Sequence, residues 1–166
     1  MSQAPDPDAR FVLIQWQGPF GYDKNGLRRS RIDPGGPVGE HLRGLRGKSG
    51  VYLVIGDHPT YGARALLYIG RTNRFERRLD VEHDWIADEW RVEVYLGILS
   101  DASALNDVES LLIHAHSPPY NTKCIDSCTL GAHVRVWNDG RFWGLFPEVS
   151  SKHPWNSDIV IAGGSR

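Results

Sequence analysis

The chain has 166 residues, 40% hydrophobic and 23% charged, with a formal net charge of −1. That length suits one domain with a real core and is short for two. The near-neutral total excludes a protein that coats nucleic acid non-specifically, and no apolar run reaches the length of a bilayer span. The first eight residues, Met1 to Asp8, lack the basic start and apolar stretch of a secretory leader, so a cytoplasmic location is expected. Two cysteines, Cys124 and Cys128, are too few for a disulfide framework or a structural zinc site. They read as reduced thiols, with His133 as the nearest help for a metal.

In chain order, Phe11 to Trp16 is a short strand-like run closed by Gly18-Pro19. Residues 21–37 read as a Gly-, Pro- and Arg-rich arm, and a short helix is expected around Val38 to Leu45. Gly50–Ile55 and Leu66–Ile69 are β-rich runs separated by a turn and predict a hairpin. Asn73 is an N-cap candidate for a helix through Phe75 and Leu79. Val92–Leu99 alternates as a strand. Asp101 or Ser103 caps a further helix that Pro118-Pro119 ends near His114. His133 to Trp137 and Arg141 to Leu145 flank Asn138-Asp139-Gly140, which predicts a second hairpin.

Charge is unevenly spread along this order. Lys24 to Lys48 holds seven Lys or Arg against two acids, net +5. Arg64 to Arg78 holds five Arg against one Glu, net +4, and Asp80 to Glu109 holds nine acids against one Arg, net −8. A neutral chain of this kind can present one basic face to a phosphate backbone.

The chemistry-bearing residues follow a spaced pattern. Gly50-Val51-Tyr52 and Tyr68-Ile69-Gly70 lie in the paired strands. Arg78 comes ten residues after Tyr68, and Asn121, in Pro118-Pro119-Tyr120-Asn121, comes twelve after Glu109. Glycine weakens a strand unless close backbone approach is needed. A phenol, with its pKa near 10, is a poor base unless a cation stabilises phenolate. Arginine grips two phosphate oxygens at once. A carboxylate leaning over a buried helix face, as Glu109 does beside Leu105, Val108 and Leu112, needs a partner, and a divalent cation is a good one.

In order and spacing, residues 48–124 resemble the GIY-YIG nuclease superfamily. The resemblance implies an α/β (α+β) fold, a small antiparallel sheet of Gly50–Ile55, Leu66–Ile69 and Val92–Leu99 flanked by helices. Residues 1–47 would add an N-terminal strand and basic arm, and residues 125–166 a C-terminal hairpin extension and tail, in one compact domain. It implies a metal-dependent endonuclease acting on DNA, with Mg²⁺ or Mn²⁺ on Glu109 and no nucleotide cofactor. Tyr52 would activate water with help from Tyr68 or His83, Arg78 and Arg71 would hold the phosphate, and Asn121 would brace the site. Lys123, Arg28, Arg29 and Arg31 would contact DNA. Where the family places His or Tyr, four residues beyond the arginine, this chain has Glu82 with His83 next. His83 is the preferred occupant, and Glu82 as a second metal carboxylate is the rival. Two cysteines leave no zinc module, and the length leaves no room for long DNA-binding appendages. A compact restriction- or phage-defence-type enzyme is therefore expected, with a homodimer as one way to cut both strands and no membrane partner. The alternative is a non-catalytic nucleic-acid-binding protein on an inactivated nuclease core.

Overall fold

A computed structural model describes residues 8–22, 44–75, 92–152 and 158–163. The expectations for Arg28, Arg29, Arg31, Arg78, Glu82 and His83, and for helices around residues 38–43 and 76–91, lie outside the described residues.

The elements in order are β1 (Arg10–Tyr22), β2 (Gly50–His58), β3 (Gly62–Thr72), β4 (Val92–Leu99), a 3₁₀ turn (Ala102–Ala104), α1 (Leu105–His116), β5 (Cys128–Leu130), β6 (Val134–Gly140), β7 (Glu148–Ser150) and β8 (Ile159–Ile161). Six strands form one sheet in the order β3-β2-β4-β1-β6-β7, and β5 pairs with β8 beside it. The β1–β6 and β5–β8 pairs are parallel and the rest antiparallel.

This corrects the expected α/β fold with a small helix-flanked antiparallel sheet. The three strands read from the sequence, β2, β3 and β4, do lie side by side, but they make only half of a six-stranded mixed sheet curled into a half-barrel. α1 is the one α-helix whose whole length falls among the described residues. The reason is long-range. The register of β1 on β6 runs from Arg10↔Val134 to Trp16↔Gly140, joining segments more than 120 residues apart. No local pattern encodes that pairing. Gly18-Pro19 also fails to close β1. The strand absorbs both residues in a register shift between Gln17 and Phe20 and continues to Tyr22, since a proline is tolerated at a bulge where no ladder bond is required.

The expected second hairpin is corrected too. β6 returns on β7, with Val136 opposite Val149, rather than on Arg141 to Leu145. Asn138 is not a turn residue. It is 3% exposed, accepts a hydrogen bond from the Trp16 indole N–H at 2.8 Å, and donates from Nδ2 to the Phe146 carbonyl at 2.8 Å. A buried amide needs such partners, and meeting them carries β6 past the Asn-Asp-Gly signal.

β2 is the central strand on its side of the sheet, and its unbroken apolar run matches burial on both faces. Val51, Leu53 and Ile55 pack with Ile69 and with Leu105, Val108, Leu111 and Leu112 of α1. Tyr52 and Val54 pack the other face with Leu67, Phe75, Val92, Val94 and Leu96. The Asp101 carboxylate accepts from the Ser103 N–H at 3.1 Å and starts the helical stretch. Ser117, with φ 45°, and Pro118 end it.

Candidate active site

β3 is an edge strand, so its outer N–H and C=O groups need partners. The segment after α1 supplies them. The Tyr120 N–H donates to the Leu67 carbonyl at 3.1 Å. Asn121 does more: its Oδ1 accepts from the Ile69 N–H at 2.9 Å and its Nδ2 donates to the Ile69 carbonyl at 2.8 Å. A side-chain amide carries the same donor and acceptor as a peptide group. Asn121 therefore acts as one residue of a missing neighbouring strand and holds residues 118–123 against the sheet edge.

That docking makes one wall of a cleft of about 520 Å³ between the β3 edge and α1, lined by Tyr68, Arg71, Glu109, Tyr120, Asn121 and Lys123 among others. Glu109 projects from α1 and its Oε2 accepts from the Arg71 Nε–H of β3 at 2.7 Å. The carboxyl side chain is 19% exposed and the guanidinium 43%. Burial raises the Glu109 pKa from its ordinary value, opposed by the positive charges of Arg71 and Lys123. The net direction says that desolvation outweighs the partner, so the carboxylate gains from further positive charge. The Arg71 side of this pair is open to solvent while Glu109 is mostly buried, so Arg71 can leave only where another cation takes its place beside the carboxylate.

The two tyrosines separate. Tyr68 lines the cleft. Tyr52 is wholly buried, its ring centroid 5.9 Å from that of Tyr68. The glycines beside them explain the pattern. A Cβ on Gly70 would lie 2.5 Å from the Tyr52 hydroxyl oxygen and 2.4 Å from its Cζ. The phenol thus lies flat across β3 where only glycine leaves room. Gly50 does the same for Phe75, whose Cζ would come within 2.4 Å of an added Cβ.

Of the residues singled out from the sequence, the structure brings Tyr68, Arg71, Glu109, Asn121 and Lys123 to one cleft and sets Tyr52 beneath it. Sequence reasoning gave Tyr120 no role, though it lines the cleft. Its signal was present in Pro-Pro-Tyr-Asn, since a residue next to the edge-binding asparagine must also lie at the edge. Glu109 is the one carboxylate among the described lining residues, and no group of three or more His, Cys, Asp or Glu gathers among the described residues. A single half-buried carboxylate facing a cationic cleft suits Mg²⁺ or Mn²⁺ held largely by water and substrate oxygens. It does not suit a protein-caged ion.

Elsewhere, Cys128 is buried and its thiol is pushed up to about 12 by desolvation and the neighbouring Cys124. The His133 ring meets the Ser151 hydroxyl at 3.1 Å. No helix among the described residues is long and apolar enough to cross a membrane. No family model matches the chain, and neither curated proteins nor solved structures give a match.

Proposed function

We propose that this protein is a metal-dependent endonuclease that hydrolyses phosphodiester bonds in DNA, in the manner of a compact restriction- or phage-defence-type enzyme. The observation that carries the reading is the convergence of a phenol, a guanidinium, a carboxylate, a bracing amide and an ammonium on one cleft, drawn from β3, α1 and the segment after it. These cleft residues resemble part of the GIY-YIG site, whose arginine, read at Arg78, lies outside the described residues, and the reading rests on the cleft residues, not on a shared architecture.

In this reading an incoming phosphate takes Arg71 from Glu109, and a bound divalent cation would replace the positive charge that the mostly buried carboxylate loses. Arg71 and Lys123 offset the charge that develops on the phosphate. Glu109, released, supplies the protein's carboxylate to Mg²⁺, which when bound stabilises the departing 3′-oxygen. Tyr68, as the phenol that lines the cleft, orients the attacking water through its hydroxyl. Tyr52 supports it from beneath. Asn121 holds the wall that carries Lys123.

Complete burial of Tyr52 and the Arg71–Glu109 pair favour a second reading, a nucleic-acid-binding protein whose site no longer cuts. Incubation of supercoiled plasmid with and without Mg²⁺ separates the two. Mg²⁺-dependent nicking or linearisation is the expected result. Intact plasmid, retained by the protein in a gel-shift assay, would leave only the binding reading.

A further inference from the structure

We propose that Tyr120, His58 and Tyr61 form a shelf on which unpaired nucleobases stack, so that the preferred substrate carries single-stranded nucleotides leading from the cleft toward the β2–β3 turn. The proposal rests on the phosphodiester reading of the cleft.

The shelf begins inside the cleft and ends at the tip of the β2–β3 hairpin. Tyr120 lines the cleft and is fixed to β3 through its backbone. Its ring meets that of His58 edge-on, with centroids 5.8 Å apart. The His58 ring in turn lies 4.7 Å from the Tyr61 ring. Tyr61 is 63% exposed. His58 is held in place because its Nδ1 accepts from the Thr60 N–H at 3.1 Å and the Tyr61 N–H at 3.3 Å. Those bonds put the ring proton on Nε2. Tyr61 is thus braced through two other rings back to the cleft wall.

Chemistry then selects the ligand. Arg71 and Lys123 stand at the cleft end for phosphates, and the shelf itself is aromatic. A cationic cleft leading to half-buried rings and an exposed one, Tyr61, is a combination that binds single strands, because every base has a π-face and stacking tolerates any sequence. Bases inside a duplex are already stacked on each other and offer no face to the shelf.

The test uses the full chain in EDTA, so that nothing is cut, and fluorescence anisotropy with a labelled oligothymidylate and a blunt duplex of equal length. Tighter binding of the single strand by the parent is expected. Tyr61→Ala should weaken that binding by about fivefold or more, the lower end of one lost stacking contact, with little change for the duplex, and Tyr61→Trp should restore it. Equal affinity for both ligands in the parent, or single-strand binding that ignores Tyr61→Ala, would overturn the shelf. The plasmid assay fails independently: a parent that does not cut but loses single-strand affinity with Tyr61→Ala keeps the shelf and loses the nuclease reading. Because Tyr61 is largely exposed, both variants should keep the parent's circular dichroism.

Discussion

Glu109 sits between two influences. Burial favours its neutral form, and the Arg71 guanidinium favours the charged one. Its proposed task is to hold metal, not DNA, and its charge repels phosphate. Glu109→Ala should therefore lower single-turnover cleavage on the order of 100-fold or more, while DNA affinity stays level or rises as Arg71 is freed. Cleavage by the variant at the parent's rate would remove the metal role. This residue and Asn121 were legible in the sequence because type and spacing sufficed to flag them. The division of labour between the tyrosines was not legible. Tyr52 and Tyr68 look alike in sequence, and only the packing of one ring across Gly70 decides which phenol reaches the cleft.

At the scale of elements, two of the contacts that attach the segments after α1 carry predictions. The first is Asn121 on the β3 edge. Asn121→Ala would leave the Ile69 N–H and C=O without their partner, an expected loss of about 1–3 kcal/mol seen as a lower urea midpoint. Faster hydrogen exchange at the Ile69 amide should accompany it. Unchanged exchange there would mean that solvent already serves that edge. The second is His116, at the end of α1. Its Nδ1–H donates to the Leu112 carbonyl at 2.8 Å, and its Nε2 accepts from the Phe146 N–H at 2.9 Å. Burial lowers its pKa from the ordinary 6.5. A group with a depressed folded-state pKa binds protons more readily when unfolded, so its contribution is whole above 6.5 and is lost as pH falls through the lower folded value. Protonated Nε2 can no longer accept from Phe146. Stability measured by urea titration should thus decline as pH falls from about 7 to 5, and His116→Leu should flatten that decline. An identical pH slope in parent and variant would show that other groups set it.

At the scale of the molecule, the segments 125–152 and 158–163 are part of the core and not an appendage to it. They supply β6, the parallel neighbour of β1, and the buried side chains of Leu130, Val134, Val136 and Val149. Four buried aliphatic side chains represent roughly 6–12 kcal/mol at about 1.5–3 kcal/mol each, comparable with the whole stability of an ordinary domain. A fragment ending at residue 124 keeps every candidate cleft residue and should still fail to fold. Circular dichroism and gel filtration check this, and a cooperative thermal transition in the fragment would contradict it. The cleft depends on the same completeness, because α1 packs both on β3 and on β5, and Asp107 of α1 accepts from the Gly131 N–H at 2.7 Å.

The sequence by itself determined what short-range chemistry can determine. The runs of β2, β3 and β4, the capped start of α1, its end before Pro118, and the residue types of the site all depend on neighbours within a few positions. Tertiary structure decided the rest. It paired β1 with β6 in parallel, made β3 an edge strand and set Asn121 against that edge. It buried Tyr52, and it turned Asn138 inward to meet Trp16. Each of these outcomes joins groups far apart in the chain, and each is settled by the need to bury apolar surface while leaving no backbone or amide group unpaired. Local sequence carries no record of which distant partner will meet that need.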